Sequence, residues 1–366
     1  MKISCLNTDF LNAINAASKA SSTNTSFPIL ETLLIEAEDE IKITGNNLEI
    51  AIEYSIPGNI MKQGMAAVDS KMICEIMRRM PDGVVTFECT ENNIMTINCG
   101  ELVYNINTIP GEDFPKIPDI TYMEKINVNC ADITTLVRKT SFAVAQNDLK
   151  PILTGVKFEF KKDEIRAISV DGFRLALKTV KTKTENPEFS CVIPGKSLNE
   201  LCKITGATET MEISVSDKNV LFTFDGCKFF SRILEGEFIN YEAFIPKEGL
   251  YDAEVNLSEF LKCIDRASLL SESDGSKTPV KITYDNDLIS VACSTERGKM
   301  SDSLIVTSHS DQSFVVGYNC KYLMDSLKAA DGEKVLIRIT GDKKPTVIKP
   351  IDGDDFIFIV LPVMIR

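Results

Sequence analysis

Pro151-Ile-Leu-Thr-Gly-Val-Lys-Phe-Glu-Phe-Lys-Lys-Asp-Glu-Ile-Arg-Ala-Ile-Ser-Val-Asp-Gly-Phe-Arg-Leu-Ala-Leu177 reads as two strands joined by a charged turn. The alternation in Lys157-Phe158-Glu159-Phe160 is that of an antiparallel strand with one wet face. The stretch occurs twice more in degraded form. Pro28-Ile29-Leu30 opens an earlier copy, 123 residues before, and Pro279-Val280 opens a later one, 128 residues after. A fixed period settles the architecture before any other feature does. Within each period a helix followed by strands occurs twice. The expectation is an α+β fold of three tandem domains, 1–123, 124–247 and 248–366. Each is two similar halves with an internal pseudo-twofold, two helices packed on antiparallel sheets. A solenoid is the competing architecture, but the unit is too long for one and able to bury its own core.

Helices are expected over 8–20, 69–80, 131–145, 196–205, 257–270 and 320–330, from apolar residues at helical spacing. The second should bury Met72, Ile73, Ile76 and Met77 on one face. Asn256, three residues before Glu259, suits a helix start. Residues 114–123 and 246–250 read as linkers. The second strand of the opening hairpin is expected to run on through 170–175.

Of 366 residues, 44% are apolar and 25% charged, a globular balance, and the length implies two or three domains. No apolar run approaches the ~20 residues of a membrane span. The first residues, Met1-Lys2-Ile3-Ser4-Cys5, read as a strand, not a secretion signal, so a cytoplasmic location is expected. Eleven cysteines stand singly with no Cys-x-x-Cys, which points to buried free thiols. The only histidine is His309, in polar surface-like sequence, so neither a zinc site nor histidine catalysis has material. No phosphate loop, Gly-x-Gly-x-x-Gly, His-Glu-x-x-His or Gly-x-Ser-x-Gly is present. Asp354-Asp355 reads as a solvated acidic turn. A non-catalytic protein with no cofactor and no metal is expected. The alternative, an acidic enzyme using paired carboxylates, requires a pocket of convergent Asp and Glu. A repeat-built protein scaffold is a further alternative.

Net charge is −13, which by itself argues against nucleic acid. Its distribution argues otherwise. The six expected helices, with their end residues, carry twelve Lys/Arg against eight Asp/Glu, leaving −17 for the rest of the chain. On one helix this would be an ordinary solvated face. On six repeated helices it makes a modestly basic layer in an acidic body. Such a layer accepts a phosphate backbone without reading bases.

The most specific markers are Phe27-Pro28-Ile29-Leu30, Thr108-Ile109-Pro110-Gly111-Glu112-Asp113-Phe114-Pro115, Val170-Asp171-Gly172-Phe173-Arg174-Leu175-Ala176, Leu234-Glu235-Gly236-Glu237-Phe238 with Tyr241, and Val360-Leu361-Pro362. Through them the whole chain resembles the bacterial sliding-clamp family, the beta subunits of DNA polymerase III. The resemblance implies three DNA-clamp domains per subunit and a head-to-tail homodimer closed into a ring. The ring would encircle duplex DNA without sequence preference and tether the replicative polymerase for processivity. Partners would be the polymerase III alpha subunit, the clamp loader and other proteins with clamp-binding motifs.

The resemblance implies a partner-peptide groove at Leu153, Val170, Gly172, Phe173, Arg174, Leu175, Phe244, Asn319, Tyr322, Thr346, Val360, Leu361, Pro362 and Val363. Aliphatic walls there would take Leu and Phe anchors, and Gly172 would let backbone pass close to the peptide. For Leu153 and Leu175 the alternative is simple core packing. Tyr104 and Ile106 would meet Leu269 and Leu270 of the next copy across the dimer seam. DNA-facing positions would be Asn24, Arg78, Arg79, Arg138, Lys139, Asn147, Lys196, Lys203, Lys262, Arg266, Lys321 and Lys328. The chain departs from many relatives at Phe173, where they have His, and at Ile239, where they have Pro. Its Arg366 also stands four residues after Pro362 instead of one or two.

Overall fold

The computed structural model describes residues 1–23, 25–117, 121–147, 149–182, 187–271, 278–308 and 310–365. Asn24, His309 and Arg366 lie outside the described residues. Six α-helices are present among those described: α1 Asn7–Ala17, α2 Ser70–Arg78, α3 Cys130–Thr140, α4 Gly195–Ile204, α5 Leu257–Ser271 and α6 Cys320–Ala329. None is long and apolar enough to cross a membrane. Short 3-10 turns, Ser18–Ala20 and Ser141–Ala143, continue α1 and α3 where longer helices were expected.

The strands form four antiparallel sheets and the chain groups into two compact units. Met1–Ala131 with Lys196–Ile233 holds a five-stranded and a nine-stranded sheet. Asp132–Gly195 with Leu234–Arg366 holds a second nine-stranded sheet and a four-stranded one. One pairing rule recurs in each third of the chain: the strand that opens the third crosses to the sheet of the other half. Thus Lys2–Leu6 pairs with Val84–Cys89, Glu124–Asn129 with Thr210–Val215, and Tyr251–Asn256 with Lys334–Ile339. The nine-stranded sheets arise because half-sheets from different thirds join at their edges. Ile50–Ile56 pairs with Cys227–Arg232, and Arg174–Lys181 with Phe356–Val360. Each such pairing removes two exposed strand edges.

In the first unit α1 buries Phe10, Ala13, Ile14 and Ala17, and the Phe10 ring stacks on Phe87 at 4.3 Å. Asp69 caps α2 by accepting the Met72 amide at 2.6 Å. The buried face of α2 is Ile73, Cys74 and Met77. Met72 is half exposed, because at 100° per residue it lies outside the arc set by Ile73, Cys74 and Met77. In the second unit the core holds three fully buried tyrosines whose hydroxyls are all satisfied. Tyr284 and Tyr318 share a hydrogen bond of 3.0 Å, Tyr318 and Thr346 one of 2.7 Å, and Tyr251 donates to the Asn286 carbonyl. Asn256 caps α5 through the Glu259 amide at 3.0 Å, as its sequence spacing predicts. Nine cysteines are buried and two half-buried, all unbridged.

The opening stretch folds differently from its reading as a two-stranded hairpin. Pro151–Thr154 is a 3-10 turn that buries Leu153, and Pro28–Glu31 is its counterpart with Leu30 buried. Two strands follow, Gly155–Lys161 and Glu164–Val170. The second does not run on through 175. Asp171 Oδ1 accepts the amides of Phe173 at 2.9 Å and Arg174 at 3.0 Å, and Gly172 has φ of +89°. That turn reverses the chain, so Val170 faces Leu175 across a new pair and Arg174–Lys181 is a third strand. The strands Asn59–Lys62 and Gly298–Ile305 are not marked by any pattern in the sequence. Both are sheet edges, exposed along much of their length, so their sequences lack a clear apolar alternation.

Candidate functional site

All fourteen groove positions belong to the second unit, and the register of its nine-stranded sheet sorts them. Val170 opposes Leu175, Leu175 opposes Ile359, and Ile359 opposes Val347, a row crossing four strands on one face. On that face Ile168, Val170, Leu175, Leu177, Tyr241, Val347 and Ile359 form one buried cluster. Phe238, Ile239, Ile245 and Ile357 pack against it. The neighbouring row, Arg174, Val360 and Thr346, points to the opposite face, because successive residues of a strand alternate sides. There Val360 joins the main core and Thr346 bonds Tyr318.

Arg174 is buried to 6% exposure, with its charge met from inside the protein. Its Nε donates to Asp171 Oδ2 at 2.9 Å and a terminal nitrogen to Asp325 Oδ2 of α6 at 2.7 Å. The guanidinium plane lies 4.5 Å from the Tyr322 ring and 5.4 Å from Phe142. A planar, permanently charged fork suits this slot as an ammonium cannot. The neighbouring Phe173 is 57% exposed and stacks on the same Tyr322 ring at 6.1 Å. Its carbonyl accepts the Leu361 amide at 2.8 Å. Asn319 caps α6, accepting the amides of Lys321 and Tyr322. Val363 pairs with Gly317, Pro362 is half-buried, and Phe244 is exposed on the 3-10 turn Tyr241–Phe244. Of the fourteen positions, Val170 and Leu175 alone are members of the buried cluster. Nothing lies within 4 Å of a Cβ built at Gly172, so the positive φ of the turn is what calls for glycine there.

Sequence reading missed Val347, Ile359, Ile168 and Leu177 as members of the same face. Two-residue alternation counted outward from Leu175 finds Leu177. Finding Val347 and Ile359 needs the pairing partner. Tyr241, a member of the cluster, donates to Glu159 Oε2 at 2.8 Å while Lys157 reaches the same carboxylate. Burial, then the bond to Glu159, raise the Tyr241 phenol well above its ordinary range.

The helix-borne cations fall into two groups. Arg78 and Arg79 both pair with Glu75, Lys139 with Asp331, Lys203 with Glu200 and Arg266 with Asp302. Lys19, Lys71, Arg138, Lys196, Lys262, Lys321 and Lys328 are exposed and form no ion pair with another described residue. Asn147 is exposed. The Arg266 hydrogen bond holds the Asp302 carboxyl below its ordinary value.

Tyr104 and Ile106 lie on Leu102–Asn107, an edge of the five-stranded sheet, and both pack into the core of the first unit. Val103, beside Tyr104, is 53% exposed. Leu270 packs into the second unit's core, while Leu269 is 75% exposed at the end of α5. The strand Gly298–Ile305 is an edge of the four-stranded sheet, and its Ile305 is 81% exposed. The other edge of that sheet is covered. The Val315 amide donates to Asp342 Oδ1 at 3.0 Å, and Val363 bonds Gly317.

Family models for the DNA polymerase III beta subunit match this chain in order. The N-terminal domain matches residues 1–118, the central domain 127–240 and the C-terminal domain 242–364. The chain is 30% identical to the beta sliding clamp of Bacillus subtilis over 378 residues, 99% of each chain. The crystal structure of a putative DNA polymerase III beta subunit from Eubacterium rectale superposes with a TM-score of 0.96 at 31% identity, covering 99% of both chains. That of the DNA polymerase sliding clamp from Bacillus subtilis gives 0.95 at 29%, covering all of both. The chain therefore belongs to the family of bacterial DNA polymerase III beta subunits, the beta sliding clamps.

Proposed function

We propose that this chain is a DNA sliding clamp, a non-catalytic accessory subunit that keeps a replicative polymerase on its template. The observation that carries the reading is the ordered match of all three beta-subunit domains along the chain. Two copies associate head to tail, each with domains 1–123, 124–247 and 248–366, and close a ring around duplex DNA. A heterologous contact closes a ring only when its rotation returns to the start. Two of the sheet edges support such a contact. Leu102–Asn107 of one copy adds to Gly298–Ile305 of the next, with Tyr104, Ile106, Leu269 and Leu270 flanking the seam.

The helix cations that form no ion pair with another described residue face the phosphates and hold DNA by long-range attraction without reading bases. Partners, including the polymerase alpha subunit and the loader, dock short Gln/Leu/Phe segments on the groove around Val170, Leu175 and Leu361. The test loads the protein on nicked circular DNA, then linearises the circle. Retention on the circle with loss from the linear form is the expected result. Equal loss from both overturns the reading. Solution mass comes first, since a lone three-domain chain cannot encircle anything.

A further inference from the structure

We propose that Gly317 is a positioning residue for partner binding, because its bare backbone is the seat that docks the C-terminal tail as an added strand. The inference rests on the groove reading above. The edge strand Ser313–Tyr318 has Gly317 buried near its end. Antiparallel to it, the Val363 amide donates to the Gly317 carbonyl at 2.8 Å, a single bridge outside the regular sheet. A Cβ at residue 317 would lie 2.6 Å from the Val363 carbonyl oxygen and 2.6 Å from Ile365 Cγ1. Both are closer than any carbon tolerates. The backbone φ at Gly317 is not in the left-handed region, so what calls for glycine here is space for the tail.

Among the described residues the tail has one further backbone anchor, the Leu361 amide on the Phe173 carbonyl at 2.8 Å. Between the two anchors Leu361, Pro362 and Val363 stay half-buried, whereas Met364 beyond them is 90% exposed. Past the regular strand ending at Val360, the wall of the groove formed by residues 361–363 thus depends on two hydrogen bonds and one glycine slot. A side chain at 317 expels the Val363 end and leaves the Phe173 end.

The experiment uses the full-length protein and a fluorescent pentapeptide carrying Gln, Leu and Phe. Gly317→Ala is expected to weaken the peptide about tenfold and to speed hydrogen exchange of the Val363 amide, with solution mass and melting temperature unchanged. Ile365→Ala empties the slot from the other side and is expected to act the same way. In the double variant the two losses should fail to add, because Ile365→Ala removes one of the two atoms that a Cβ at 317 would meet. Should Gly317→Ala fail to fold, Ile365→Ala alone still decides. Peptide affinity and Val363 exchange both at wild-type values overturn the proposal. A wild-type protein that does not bind the peptide overturns the groove reading instead, and Val363 exchange then reports on the tail seat by itself.

Discussion

Leu175 and Ile359 stand directly opposite each other across the pair Arg174–Lys181 and Phe356–Val360, with Val170 and Val347 continuing the row on either side. The row, with Tyr241, forms one buried apolar cluster, which the groove proposed above would use as its base. A Gln/Leu/Phe peptide should bind it at micromolar order, about −8 kcal/mol. Leu175→Glu and Leu361→Glu should each abolish that binding in a fluorescence titration. Ile359→Ala, from a fully packed site, should also cost about 2–5 kcal/mol of stability. Unchanged affinity in both Glu variants would move the groove elsewhere.

Arg174 ties the turn at Gly172 to α6 through Asp171 and Asp325. Removing the guanidinium strands two carboxylates near a buried site. Arg174→Ala should lose about 3–5 kcal/mol in chemical denaturation. Arg174→Lys should recover only part of this, because an ammonium cannot serve both carboxylates while stacked between Phe142 and Tyr322. Equal stability of Lys and Arg proteins would contradict that account.

The helix cations that pair with no other described residue should carry the attraction to DNA. Neutralising Lys196, Lys262, Lys321 and Lys328 together should flatten the plot of log affinity against log salt, by roughly 0.9 for each phosphate left without its cation. Changing Arg78 and Lys203, already paired with Glu75 and Glu200, should flatten it less. Filter binding to short duplexes across a salt series measures both.

Asp302 links the edge strand Gly298–Ile305 to α5 through Arg266. Its folded pKa lies below the ordinary 3.8 because of the Arg266 hydrogen bond. The folded state therefore binds the proton less readily than the unfolded chain. The resulting stability is fully present above about pH 4 and is lost as pH falls through the folded value. Asp302→Asn should show a shallower acid loss in melts from about pH 6 down to pH 3. An identical slope in both proteins would remove this pair from the acid response.

Much was legible in the chain alone. The period of Pro28, Pro151 and Pro279 set the number of repeats, and apolar spacing placed all six helices because each buries one face. Local cap chemistry marked the start of α5 at Asn256. The breaks came where local pattern is ambiguous. Met72 is apolar at near-helical spacing but lies outside the arc that α2 buries, and stays half exposed. The chain through 170–175 fits a continuous strand unless Asp171 and Gly172 are read together as a turn.

What the sequence by itself determined is therefore the repeat, the helices, the strand alternation and the basic bias of the helices. All of these are local or periodic properties. Only the tertiary structure decided which face each candidate residue presents. Strand parity has a period of two, so a slip of one residue exchanges Leu175 for Arg174 and Ile359 for Val360. Pairing between strands that lie far apart in the chain decides between them. Likewise the sandwich that buries Arg174 is completed by Asp325, 151 residues away, and the tail seat joins Gly317 to Val363. No short window of sequence contains both members of such pairs, and each is settled by the one register that leaves the buried backbone groups paired.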